Sequence, residues 1–308
     1  MKNSIKILGL AALVLISSLL IFAAKKEAPE YTSRGIENGK NTSDTYQIKA
    51  LKIPSNLTFA GEKVPLEKAD IKERIDRELL VNTYWQSNGL LLIKRAHKYF
   101  PIIEPILKEH GIPNDFKYLA VIESGLQHVT SPAGAKGFWQ ILKGTAREYG
   151  LEVNPNVDER YHLEKATLAA CKYLQEAKEK FGTWTMAAAA YNAGMNSINR
   201  KITTQQVDNY YDLLVGDETK RYVPRMVAVK EILTNPAKYG FIYEDEDLYK
   251  LKPTKIIEVD TAITNIASFS KKFGINYKIM KLHNPWLREN KLNNKSRKLY
   301  QIKIPTEL

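Results

Sequence analysis

From Pro65 to about Pro236 this chain keeps a single hydrophobic period almost without a break. Apolar residues recur three and four apart in ADIKERIDRELLVNTYW (69–85), GLLLIKRAHKYFPIIEPILKEHG (89–111) and HLEKATLAACKYLQEAKEKFG (162–182). That spacing lays one stripe of a helix against a core, whereas strands would show alternation. Gly111, Gly150 and Gly182 each follow a helical stretch, where a left-handed residue closes a helix, and Pro113, Pro132 and Pro155 punctuate the links. The expected architecture is mainly α, with a helical domain over residues 61–240.

The period changes after Lys252-Pro253. The apolar pieces IIEV and LYQIKIP bracket two helix-like stretches, ITNIASFSKKFG and YKIMKLHNP, so residues 254–308 are expected to form a small β-α-α-β domain. At the other end, Lys2 and Lys6 accompany the apolar run of residues 5–24, and Lys25 and Lys26 follow it. A basic start before such a run is an export signal, and this run approaches the length of a membrane span. Residues 1–24 therefore read as a signal peptide cleaved near Ala23 or Ala24, or as a retained membrane anchor. No cysteine follows, which excludes lipoprotein anchoring. Residues 25–60, rich in Ser, Thr, Asn, Lys and Glu, are expected to be a polar linker.

Charge and cysteine narrow the function classes. The formal net charge is +12, and residues 251–308 hold ten lysines and two arginines against four acids, a net of +8. An excess of that kind suits a polyanion. For an exported chain the partner is expected to be a wall polymer or membrane surface, not nucleic acid. Cys171 is the one cysteine, so no intramolecular disulfide holds the fold, and a lone thiol on an Ala-rich helix face reads as a core residue. His97, His110, His128, His162 and His283 lack metal-ligand spacing, and neither metal nor cofactor is expected. The oligomeric state is not written in the sequence.

The residue that invites chemistry is Glu123, at the end of the apolar run YLAVIESG (118–125). With Asn114 or Asp115 as N-cap, a helix through FKYLAVIES places Phe116, Leu119, Ala120 and Glu123 on one face. The carboxyl thus leaves the stripe that packs, and desolvation there raises its pKa towards the range of a general acid. Alone, such a glutamate reads better as one paired with a nearby cation. Its company changes that. The turn around Gly134, Gly137 and Phe138-Trp139-Gln140 offers close approach, an aromatic face and an amide. The helix TWTMAAAAYNAG presents Tyr191 and Asn192 at its end, and Tyr222 stands near the start of ETKRYVPRMVAVKEIL. Carboxyl, amides and phenols are groups that hold a sugar.

In that order, Glu123-Ser124, Gly137-Phe138-Trp139-Gln140, Ala190-Tyr191-Asn192 and Tyr222 resemble the four motifs of the soluble-type lytic transglycosylases, within them the membrane-bound lytic transglycosylase D group. The resemblance covers roughly residues 95–235. Many members carry Gly-Leu-Met-Gln where this chain has Gly-Phe-Trp-Gln, a difference that bears on subsite shape. It implies a lysozyme-like helical domain that cleaves the MurNAc-β-1,4-GlcNAc bond of peptidoglycan glycan strands. It further implies that Glu123 protonates the glycosidic oxygen and then, as base, activates the C6 hydroxyl of the same MurNAc, giving a 1,6-anhydro end. By the same resemblance Ser124 orients the carboxyl or contacts substrate, Gln140 and Asn192 hold N-acetyl or hydroxyl groups, and Tyr191 and Tyr222 brace Glu123 or line the cleft. VDTAITNIASFSKKFGINYKIMKLHNPWLRENKLNNKSRKLYQIKIP resembles a LysM glycan-binding domain through Val259, Thr261, Ile266-Ala267, Asn284 and Ile304-Pro305, without the usual glycine before Asp260.

Two other readings stand beside this one. A goose-lysozyme-type hydrolase would need a second carboxylate near Glu123 to position water, with Asp158 and Glu159 as candidates. A non-catalytic wall-binding protein would not need the four motifs together. On the leading reading the chain faces the periplasm or cell envelope.

Overall fold

The computed structural model describes residues 48–307. The expected signal or anchor over residues 1–24 and the start of the linker at residue 25 lie outside that range. Among the described residues no helix is long and apolar enough to cross a membrane.

The expected linker does not run to residue 60. Leu57 and Phe59 are buried, Phe59 completely, and the Phe59 ring meets Phe116 edge-on at 5.1 Å. Two apolar side chains in a mostly polar stretch thus dock it on the core. Strand β1 (Thr58–Phe59) pairs antiparallel with β2 (Glu62–Lys63). This hairpin also takes up Asp115, expected as a helix cap. The Asp115 carboxylate accepts from Ala60 N at 2.7 Å and from Lys230 Nζ at 2.6 Å. The turn Asn114–Phe116 carries no side-chain cap. A tertiary cation and an orphaned amide compete better for the carboxylate than the local backbone does.

The helical region consists of α1 (Ala69–Tyr84), α2 (Gln86–Glu109), α3 (Lys117–Ser124), α4 (Lys143–Glu148), α5 (Leu163–Phe181), α6 (Trp184–Ala193), α7 (Met195–Gln205) and α8 (Asp217–Thr234). Helix α6 runs through the centre: Met186 and the four alanines that follow it have no exposed surface, and α6 packs against both α5 and α8. Short side chains let its neighbours approach from every side. Its start is capped twice. Thr183 Oγ1 accepts from Met186 N at 3.3 Å, and the Glu62 carboxylate accepts from Trp184 N and Thr185 N at 2.5 and 2.9 Å. A carboxylate at a helix N-terminus is favoured by the dipole as well as by the bonds.

The C-terminal unit has the expected order: β3 (Thr254–Val259), α9 (Ile266–Lys271), α10 (Tyr277–His283) and β4 (Tyr300–Pro305). Strands β3 and β4 pair antiparallel, from Thr254 opposite Pro305 to Val259 opposite Tyr300. Its core of Ile266, Met280, Leu287, Leu292 and Ile302 also takes in Val157 and Tyr161 from the helical region, so the two regions share apolar surface. The connector packs too: Phe241 lies so close to Gly89 that a Cβ there would fall 2.4 Å from the ring.

Candidate active site

Helix α3 ends where its sequence says it should. Gly125 takes a left-handed φ of 60°, and its amide closes on Val121 O at 2.8 Å. Glu123, in the last turn, emerges half-buried into a cavity of about 760 Å³. Tyr222, fully buried on α8, donates its hydroxyl to Glu123 Oε1. Burial pushes the Glu123 carboxyl up to about 7 from 4.5; the Tyr222 hydrogen bond holds it down in part, and the charges of Glu218 and Arg225 then act in opposite directions. The site therefore holds a carboxyl that changes charge near neutrality.

Each expected residue has a definite place. Gln140, Tyr191 and Asn192 line the same cavity as Glu123. Asn192 Oδ1 accepts from Thr219 Oγ1 at 2.8 Å, which fixes the amide and leaves its NH2 for a ligand. Gln140 sits at a φ of 46°, and its Nε2 donates to Gly137 O at 2.8 Å and Val129 O at 3.2 Å. Its nitrogen is thus spent on the loop, and it is the carbonyl oxygen that it has to offer. Tyr191 donates to Trp139 O at 2.7 Å, so it ties the Gln140 loop to α6, while Tyr222 alone of the two grips the acid.

Ser124 lines a further cavity that Glu123 also borders, but its hydroxyl does not orient the carboxyl. Its hydroxyl is buried and directed at Ala120 O (3.0 Å) and Phe138 O (2.8 Å), joining the end of α3 to the second motif rather than meeting the carboxyl. The aromatic face expected of Phe138-Trp139 is not offered to the cavity either. Both are buried; Trp139 Nε1 donates to Thr167 Oγ1 at 2.9 Å, and Phe138 packs edge-on against Tyr99 at 4.7 Å. These bulky side chains point into the core, so they leave the cleft wall free to be built by Tyr149 and Tyr173.

Asp158 and Glu159, the candidate second carboxylates, are occupied elsewhere. Asp158 is buried against the Arg160 guanidinium, with both contacts at 2.8 Å. Glu159 pairs with Lys165 at 2.5 Å, and Lys165 and the Glu152 amide hold its carboxyl below the usual range despite burial. His128 packs between Phe138 and Tyr161 at 4.7 and 5.5 Å, and burial, then the Arg288 charge, pushes it down to about 4, which leaves it neutral. Among the described residues no group of three or more His, Cys, Asp or Glu is placed to hold a metal ion.

Two functional side chains were not weighed from the sequence. Glu218 lines the cavity beside Glu123, and its carboxylate meets Arg225 Nη1 at 3.0 Å. With Tyr222 they stand at i, i+4 and i+7 on one face of α8, a spacing that was legible in ETKRYVPR. On its other side Glu123 borders a second cavity, of about 440 Å³, lined by Glu78, Trp85, Asn88, Gln127, Arg221 and Arg225.

Comparison with known proteins places residues of this site within a known domain family. Residues 100–213 match the family model of the transglycosylase SLT domain, a span that holds Glu123, Gln140, Tyr191 and Asn192. The chain carries an SLT domain. Behind the SLT domain, residues 255–308 match the soluble lytic transglycosylase C-terminal LysM-like domain. Membrane-bound lytic murein transglycosylase D of Escherichia coli K12 is 31% identical over 229 residues, which are 71% of this chain and 48% of that one. Its counterpart in Escherichia coli O6:H1 gives the same figures. The chain thus spans about half the length of the curated relatives it matches. Among solved structures, the 70 kDa soluble lytic transglycosylase of Escherichia coli aligns over 45% of this chain and 24% of its own, at 23% identity and a TM-score of 0.40.

Proposed function

We propose that this SLT-domain protein is a peptidoglycan lytic transglycosylase, exported and working in the cell envelope, with residues 5–24 as its signal or anchor. One observation carries the reading: a desolvated carboxyl, pushed up to about 7 by burial, lines two cavities at once. The SLT domain match and the murein transglycosylase activity in the relative's name support the same class.

A glycan strand running from one cavity to the other passes Glu123 at the bond to be cut. Asn192, Gln140 and the tyrosines hold the sugars on one side. On the other, Trp85, 61% exposed, offers an indole platform beside the amides of Asn88 and Gln127. Tyr222 engages Oε1, so Oε2 is the oxygen that delivers the proton to the glycosidic oxygen. Glu123, now ionised, takes the C6 hydroxyl proton of the same MurNAc as that oxygen attacks C1. Intramolecular attack needs no second carboxylate to hold water and costs less entropy than a bimolecular step.

Glu218 favours a second reading, hydrolysis, because it is a carboxylate lining the same cavity. Its carboxylate is engaged by Arg225 Nη1 at 3.0 Å, a contact it would have to give up to position water. Mass spectrometry of digested sacculi separates the two. The transglycosylase yields 1,6-anhydro ends, in wild type and in Glu218→Gln alike. Reducing ends that vanish in Glu218→Gln would select the hydrolase.

A further inference from the structure

We propose that Arg160 is a positioning residue of the cleft and that the C-terminal domain is the outer brace that holds it, an inference that rests on the glycan-cleaving reading of the site. The segment 152–164 lies between two layers. On its outer side the C-terminal domain grips it through main chain and side chain. Asp158 N donates to Trp286 O and Arg288 N to Asn156 O, both at 2.9 Å. The Asn156 amide donates to Lys291 O and accepts from Asn293 N, both at 2.7 Å. Lys298 Nζ pairs with Glu152 at 2.6 Å, and Tyr300 donates its hydroxyl to the same carboxylate. Val157 and Tyr161 are buried in the C-terminal core.

On its inner side the same segment carries the loop that walls the cavity. The Arg160 side chain is only 4% exposed. While Nε and Nη2 engage Asp158, Nη1 donates to Gly134 O at 3.1 Å and Ile141 O at 3.2 Å. Those carbonyls stand at either side of the turn that bears Gln140, so one guanidinium staples the turn shut. The Arg160 carbonyl presses against Gly137, where a Cβ would lie 2.0 Å away, and the hydroxyls of Tyr161 and Thr130 bond at 3.1 Å. A buried guanidinium of this kind holds its place only while Asp158 is there to compensate it, and Asp158 is set by its main-chain bond to Trp286. Docking of the C-terminal domain therefore fixes Asp158, Asp158 fixes Arg160, and Arg160 fixes the wall that presents Gln140. A module that only tethers the enzyme to glycan would need none of these bonds.

The test uses the full-length chain with Asn156→Ala, which breaks the outer grip far from the acid, and with Arg160→Met and Arg160→Lys. Hydrogen exchange of the Lys136, Gly137 and Ile141 amides without substrate should rise about tenfold in Asn156→Ala and Arg160→Met. KM for a soluble MurNAc-GlcNAc tetrasaccharide should rise roughly three- to tenfold. The alkaline limb of the pH profile should stay where it is, since Glu123 is untouched. Arg160→Lys, which keeps the charge beside Asp158, should recover part of both effects. Wild-type exchange and KM in an Asn156→Ala protein whose Asp158 and Arg288 amides exchange faster would overturn the proposal, because the grip would be broken without consequence for the cleft. If no variant and no wild type cleaves glycan, the exchange arm still decides whether the brace exists, while the catalytic reading falls separately.

Discussion

Glu78 and Glu123 border one cavity from two helices, and the fold treats them in opposite ways. Glu78 is almost fully buried, yet Arg77 Nη1 and Arg221 Nε lie 2.6 and 2.7 Å from its Oε1, with Arg225 Nε 3.5 Å from Oε2. Glu123 keeps partial exposure and, among the described residues, has one hydrogen-bond partner, a neutral phenol. Surrounding a buried carboxylate with guanidinium groups makes it a tie that joins α1 to α8. Giving it only a hydroxyl donor leaves its proton free to come and go. Identical side chains thus become a structural post and the proposed proton carrier according to what faces them.

The sharpest test of that contrast is to remove the proton carrier. Glu123→Gln should lower release of anhydro-muropeptides by about 10²–10⁴-fold or more, the scale of general acid–base catalysis, with the circular dichroism spectrum unchanged. Mass spectrometry of digested sacculi reads it; wild-type product levels would sink the assignment. Glu78→Ala should act on the fold instead. Three guanidinium groups would lose their shared anion, costing about 3–5 kcal/mol in urea denaturation. A variant of normal stability and no activity would make Glu78 part of the chemistry and break the comparison.

The phenol comes next. Tyr222→Phe should slow turnover roughly tenfold to a hundredfold, as lost preorganised donors do. It should also move the alkaline limb of kcat/KM above its expected position near 7, because the hydrogen bond that holds the Glu123 pKa down is gone. A limb that moved to lower pH would contradict that role.

Stability should respond to pH in a sense fixed by the raised pKa. Below about 4.5 Glu123 is protonated folded and unfolded; between there and about 7 only the unfolded chain ionises, so folding loses stability as pH rises. Glu123→Gln removes the liability and should gain about 1–3 kcal/mol at pH 8 and none at pH 4, measured by thermal melts at both. The smallest effect is expected of Glu218→Gln. Loss of a like charge lowers the Glu123 pKa, so the limb should shift to slightly lower pH with turnover nearly kept. A large loss would assign Glu218 a role in the reaction.

Much of this was legible in the residues. A helical period with an acid set in its apolar stripe announces a carboxyl at a packed rim, and Gly125 marks the turn at which the helix must stop. The β-α-α-β order of the C-terminal unit followed from where the period switched. What could not be read was direction. Phe138-Trp139 beside Gln140 looks the same whether the rings face sugar or core, and they face the core because Thr167 and Tyr99 wait there. Ser124 could reach forward to the carboxyl or back to Phe138 O, and Asp115 was drawn from its cap by Lys230, distant in sequence. Leu57 and Phe59 are two residues in a polar stretch, too few to show a period, yet enough to dock it.

By itself the sequence determined which segments are helices, which carboxyl stands at the packed rim and which amides and phenols accompany it, because these depend on spacing and residue type within short windows. Only the tertiary structure decided what each polar group is matched with: Tyr222 with Glu123, the arginines with Glu78, Asp158 with Arg160 instead of with substrate. The physical reason is that the energy of a buried charge is set by the few groups within hydrogen-bond reach, and folding gathers those groups from distant parts of the chain.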